Sequence, residues 1–97
     1  MPAYVILNKF TEQGIRHVKD TTKRAEATRK AFEAAGGRMI GIWWTQGQYD
    51  SVAIVELPDD ESVVALLLQI GQQGNVQTET LRAYSEQEMA AIIARLP

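Results

Sequence analysis

The sequence contains one histidine, His17, set between Arg16 and Lys19. An imidazole titrates near neutral pH and could act as a general base, with Asp20 one helical turn on as its carboxylate. The other reading is a solvent-facing residue of a helix. Tyr49 and Asp50 could supply a phenol donor and a carboxylate to a pocket. Alternatively, Asp50 caps a turn or pairs with Arg82, and Tyr49 packs at the mouth of a sheet. Trp43 and Trp44 are adjacent in a β-rich run, so they point to opposite faces. One should enter a core, while the other, Trp43 if it is the outward one, reaches a subunit interface or walls a ligand cavity. Lys19, Asp20 and Arg24 could bind an anion or carboxylate, or be a solvated i,i+4 pair with a neighbouring cation.

Other chemistries find little support. There is no cysteine and no second histidine, so a zinc or two-histidine iron site is poorly supported. Gly71-Gln72-Gln73-Gly74 lacks the Lys and Ser/Thr of a phosphate loop. Ser51, Ser62 and Ser85 are accounted for by a strand, a helix entrance and a helix cap, which leaves no nucleophilic triad. No cofactor and no metal is expected.

These residues are positioned by an alternation of elements. Ala3-Tyr4-Val5-Ile6-Leu7, continuing to Phe10, reads as a first strand, apolar enough to lie centrally in a sheet. Thr11 can cap a helix in which Ile15, Val18, Thr22, Ala25, Thr28 and Phe32 follow helical spacing. Asp20–Arg24 and Glu26–Lys30 have the spacing of favourable pairs on it, and Gly36-Gly37 ends it. Arg38-Met39-Ile40-Gly41-Ile42 and Ser51–Leu57 then form a hairpin around the stretch Trp43–Asp50, which contains Gly47. With an even loop, Trp44, Ile42 and Ile40 face Ser51, Ala53 and Val55. Thr45, Trp43, Gly41 and Met39 share the opposite face with Asp50, Val52, Ile54 and Glu56. Pro58–Ser62 opens a second helix, Asn75–Tyr84 reads as a polar edge strand, and Ser85-Glu86-Gln87-Glu88 is a capping box. The helix it starts carries Met89, Ile92, Ile93 and Leu96 on one stripe.

The order β-α-β-β-α-β with a terminal helix predicts an α+β fold. It is a ferredoxin-like βαββαβ sandwich in one domain, residues 1–97, with both main helices on one face of a four-stranded sheet. The other face is left bare, exposing Trp43, Val52 and Ile54, plus Tyr4 and Ile6 if the first strand has the complementary parity. A second copy of the chain is the simplest cover, giving a homodimer with a barrel-like interior. Asp50 and Glu56 on that face would need partners, for which Arg82 is the candidate.

A net charge of −2 over 97 residues, with the basic residues interleaved by acids, argues against nucleic acid as a partner. The longest apolar run, Val63 to Leu68, is too short to span a bilayer. Met1-Pro2 leads directly into a strand without signal-peptide character, which predicts a cytoplasmic protein.

The chain resembles the GYD-domain proteins, a small bacterial family placed in the dimeric α+β barrel superfamily. The resemblance runs through Tyr4-Val5-Ile6-Leu7, Thr11-Glu12-Gln13-Gly14, Lys19-Asp20, Arg24 and Gly36-Gly37. It continues through Trp43-Trp44-Thr45, Gly47-Gln48-Tyr49-Asp50, Glu56, Asp59-Asp60 and Gly74–Thr80, with Gln48 interrupting the name-giving Gly-Tyr-Asp. It implies the fold and the dimer, and leaves the reaction open. Two functions are therefore carried forward. The first is a homodimeric binding or assembly protein for a small molecule, with Trp43, Tyr49, Asp50 and Arg82 as candidate ligand contacts. The second is a cofactor-independent, monooxygenase- or isomerase-like enzyme acting on a small, partly aromatic compound. It would work in a pocket between sheet and helices, with His17 and Asp50 as the reactive groups.

Overall fold

The computed structural model describes residues 1–97. In chain order the elements are β1 (Ala3–Phe10), α1 (Glu12–Arg16), a 3-10 turn (Val18–Asp20), α2 (Thr21–Ala34), β2 (Arg38–Trp44), β3 (Ser51–Glu56), α3 (Asp60–Gln72), β4 (Val76–Ala83) and α4 (Glu86–Ile93). The four strands form one antiparallel sheet in the order β2-β3-β1-β4. The apolar first strand lies inside the sheet, and the polar fourth strand is at its edge. One face of the sheet carries the core: Tyr4 and Ile6 of β1, Met39 of β2 and Ala53 and Val55 of β3 meet Phe32 of α2 and Val63 and Leu66 of α3. Both main helices therefore lie on the same side.

The element ends follow local chemistry. The Thr11 side chain accepts the Gly14 N–H, Asp59 accepts the Ser62 N–H, and Ser85 with Glu88 completes a reciprocal capping box. Gly36, Gly47 and Gly74 hold φ of 86°, 100° and 80°, conformations that other residues rarely adopt. They end α2, turn the hairpin and end α3.

Four expectations are corrected. The first helix is broken: His17 leaves helical geometry (φ −108°, ψ 29°), and the chain passes through a 3-10 turn before α2. The β-branched Val18, Thr21 and Thr22 around the break are weak helix formers. With the axis broken, Ile15 and Val18 lie outside the core. Neither expected pair on this segment forms, since Arg24 donates to the His17 carbonyl and Glu26 pairs with Arg29.

The second correction concerns β2. The expected register holds for Trp44–Ser51 and Ile42–Ala53, but a bulge between Met39 and Gly41 then slips it by one residue. Met39 pairs with Val55 and is buried, while Ile40 is turned out and half exposed. Third, the parity of β1 sends Tyr4 and Ile6 to the helices. Their neighbours Val5 and Leu7, opposite Ile54 and Val52, line the bare face instead.

Fourth, Arg82 is opposite Tyr4 on the helix side, not near the hairpin. Its guanidinium stacks over Tyr84 at 4.5 Å and pairs with Glu88 at 3.7 Å. Glu56 takes Arg38, directly opposite it, as its partner. Beyond this corner α4 stands off the body, with every residue exposed. The Cα radius of gyration is 14.7 Å, against about 12.5 Å for a packed domain of this length.

Candidate functional site

The candidate residues fall into separate places. His17 is exposed at the end of α1, and only its backbone is engaged. Asp50, at the foot of the hairpin, stitches it to β1. Its carboxylate accepts the Phe10 N–H at 2.8 Å, and its own N–H donates to the Asn8 carbonyl at 2.8 Å. Thr45 closes the same loop by donating its N–H to Asp50 O and its hydroxyl to Tyr49 O. Asp50 therefore organises the turn.

Tyr49 reaches sideways across the sheet. Its hydroxyl donates to Glu79 of β4 at 2.8 Å, and the Lys9 ammonium sits 5.4 Å from its ring centre. The bond to the Glu79 carboxylate, more than burial, raises the Tyr49 phenol above its ordinary value. Glu79 is opposite Leu7, so this Lys9–Tyr49–Glu79 cluster marks one end of the bare face. Nothing in the sequence pairs these three residues. Only the strand order β3-β1-β4 brings them together.

Trp43 and Trp44 point to opposite faces as their adjacency requires, but neither enters the core as expected. Trp44 is on the helix side, 42% exposed, and donates its indole N–H to Thr21 at 3.0 Å. Trp43 is on the bare face, 53% exposed, with its ring folded over Gly41. Around it run Val52 and Ile54 of β3, Val5 and Leu7 of β1 and Leu81 of β4, with no helix over them. At the far corner, Tyr4 donates its hydroxyl to Asp60, and burial followed by that bond pushes its phenol up to about 12.

A cleft does exist, on the helix side. It lies between the sheet, α2 and the end of α3, lined mainly by apolar residues with Asn8, Ser51, Thr21 and Arg24 among them. Its volume is about 70 Å³, well below the roughly 300–1,000 Å³ of typical metabolite pockets. None of His17, Tyr49, Asp50, Trp43 or Arg82 lines it. No three His, Asp or Glu side chains are gathered as a metal ion would need. No helix is long and apolar enough to cross a membrane.

The comparisons with known proteins agree with this architecture. The chain is 31% identical over 97 residues to the glutamine synthetase and cystathionine beta-lyase binding protein of Thermus thermophilus, covering 99% of both chains. Its fold is similar to the crystal structure of the protein TTHA0845, also from Thermus thermophilus. There the TM-score is 0.56 and the identity 25%, over 88% of this chain and 95% of that one. The model of the GYD domain matches residues 4–93, nearly the whole of the sequence, so the chain belongs to the GYD domain family.

Proposed function

We propose that the protein is a cytoplasmic, non-catalytic binding protein that works as a homodimer, two sheets closing face to face. The observation that carries this reading is the uncovered side of the sheet, where Trp43, Val52, Ile54, Val5, Leu7 and Leu81 form one apolar surface. Trp43 and Leu81 are about half exposed and the other four partly so, so a cover would gain part of the about 1.5–3 kcal/mol that full burial of each such side chain is worth. A four-stranded face of this length presents roughly 400–450 Å². That is about half of the ~800 Å² per partner of a standard interface, so a second element should join it. The apolar stripe Met89, Ile92 and Ile93 of α4, with Leu96 just beyond the helix end, each residue at least 38% exposed, suits that part. The ends of the face carry both signs, Lys9 and Glu79 at one and Arg38 and Glu56 at the other.

The relative's name describes a protein that binds two enzymes, which supports a partner-binding role here. A glutamine synthetase or a cystathionine beta-lyase is the first partner to test. The geometry gives less support to catalysis, because His17 is in solvent and the Asp50 carboxylate is already bonded to Phe10 N–H. The expected small-molecule contacts Trp43, Tyr49, Asp50 and Arg82 do not converge on one cavity.

Sedimentation velocity at micromolar concentration tests the dimer. A species of twice the 10.8 kDa chain mass is expected, and Trp43→Glu should return it to a folded monomer. A wild-type monomer would overturn the proposal.

A further inference from the structure

We propose that the cleft on the helix side of the sheet binds a small carboxylate, held by the guanidinium of Arg24. Arg24 is fixed at one end, with Nη1 donating to the His17 carbonyl at 2.8 Å. Its Nη2 atom is out of reach of solvent and has no hydrogen-bond partner. A charged donor left in that state is expensive, and native proteins rarely tolerate one without a partner. Arg24 takes part in no ion pair, and no acidic residue lines the cleft it faces. An anion entering the cleft, with a small turn of the guanidinium to present Nη2, would supply that partner.

The remaining polar groups fit an acceptor-rich guest. Asn8 and Ser51 are the two polar residues of the buried set, and both line the cleft. Asn8 Nδ2 donates to Ser51 Oγ at 3.0 Å, so the serine hydroxyl hydrogen and the second amide hydrogen remain to donate elsewhere. Thr21 is in the same position: its oxygen accepts from Trp44, and its own hydrogen is free. An arginine fork matches a carboxylate in two parallel bonds.

Size and polarity narrow the choice. At roughly 10–15 Å³ per water-sized occupant, a 70 Å³ cleft takes about five non-hydrogen atoms. A two- or three-carbon carboxylate has that size. Phosphate does too, but it would leave oxygen atoms against Ile6, Phe32 and Ile42, which line the walls. The carboxylate turns a hydrocarbon end to them instead. This site is on the opposite side of the sheet from the proposed dimer face, so either can fail without the other.

The test uses the full chain with propionate, its neutral isostere propionamide and inorganic phosphate at matched ionic strength. Binding is read from the melting temperature and from the NMR signals of the Trp44 indole N–H and the Asn8 side-chain amide. Propionate should raise the melting temperature with dose and move both signals, and propionamide should do neither. Arg24→Met should weaken propionate binding at least tenfold, and Ser51→Ala provides a second, smaller perturbation should the first fold poorly. No response to propionate, an equal response to propionamide, or undiminished binding in both variants would overturn the proposal. A response to phosphate alone would overturn the carboxylate assignment.

Discussion

The indole of Trp43 lies across Gly41, so close that a methyl group at residue 41 would stand 2.5 Å from ring atom Cη2. The glycine leaves a gap in the bare face of the sheet, and the tryptophan two residues on folds back to fill it. Gly41→Ala should therefore swing the ring outward without unfolding the strand. A changed near-ultraviolet circular dichroism signal, with the far-ultraviolet spectrum unaltered, is expected. Identical near-ultraviolet spectra would mean that the ring does not rest there.

Gly14 shows a tighter constraint. A Cβ there would meet the Asn75 carbonyl oxygen at 2.0 Å, against backbone that also accepts the Thr11 N–H. Gly14→Ala should cost about 1–3 kcal/mol by overpacking. Gly71, inside α3, has open space around it, and Gly71→Ala should stabilise by about 0.4–1 kcal/mol. Urea unfolding of the two variants should move the midpoint in opposite directions. Shifts of the same sign would contradict this account of the α1–β4 junction.

Tyr4 gives the fold an alkaline limit. Its phenol is raised to about 12 by burial and by its bond to Asp60, against 10.0 for the free group. A raised value means that the neutral phenol is favoured by folding. Its contribution is complete below pH 10 and is lost between pH 10 and about 12. Absorbance titration should show the last of the three tyrosines ionising near pH 12, together with the loss of folded signal. In Tyr4→Phe that late step should vanish.

In the monomeric Trp43→Glu protein, where no second copy can cover it, the terminal helix should melt on its own. α4 buries no residue, and its start depends on the box formed by Ser85 and Glu88. The Ser85 backbone N–H, as the largest cause, lowers the Glu88 carboxyl below its usual range. This support is present at neutral pH and lost as pH falls through the ordinary glutamate range and below it. Ser85→Ala should cost about 0.5–2 kcal/mol of helix stability, seen as faster amide exchange in residues 86–93. The unfolding midpoint of the sheet should not move; a large drop would mean that α4 is packed on the body.

What could be seen in the sequence was what neighbours along the chain decide. Thr11, the Pro58–Ser62 entrance and the Ser85 box announce helix starts through residues three positions apart, and each start stands where expected. The strand order followed from chain order and crossover handedness. The bulge at Ile40 left no mark, because Arg38 to Trp44 reads equally well as an unbroken strand. An unbroken strand would put Met39 on the bare face, and the bulge turns it to the helices. The partners of Arg82 and Tyr49 were equally hidden, since they depend on which strands lie side by side. The cleft joins β1, β3 and α2, and no local pattern links Asn8, Ser51 and Arg24.

The slipped register of β2 also bears on how copies of this chain can meet. An outer strand with unbroken spacing offers its free amides and carbonyls to any passing strand, and such growth has no natural stop. At Ile40 that row of groups loses its regular beat, so a newcomer cannot zip along it. On the other flank, the run Gln77-Thr78-Glu79-Thr80 makes a charged and hydroxylated border. Lateral polymerisation is discouraged on both sides, and association is steered toward closed, countable assemblies.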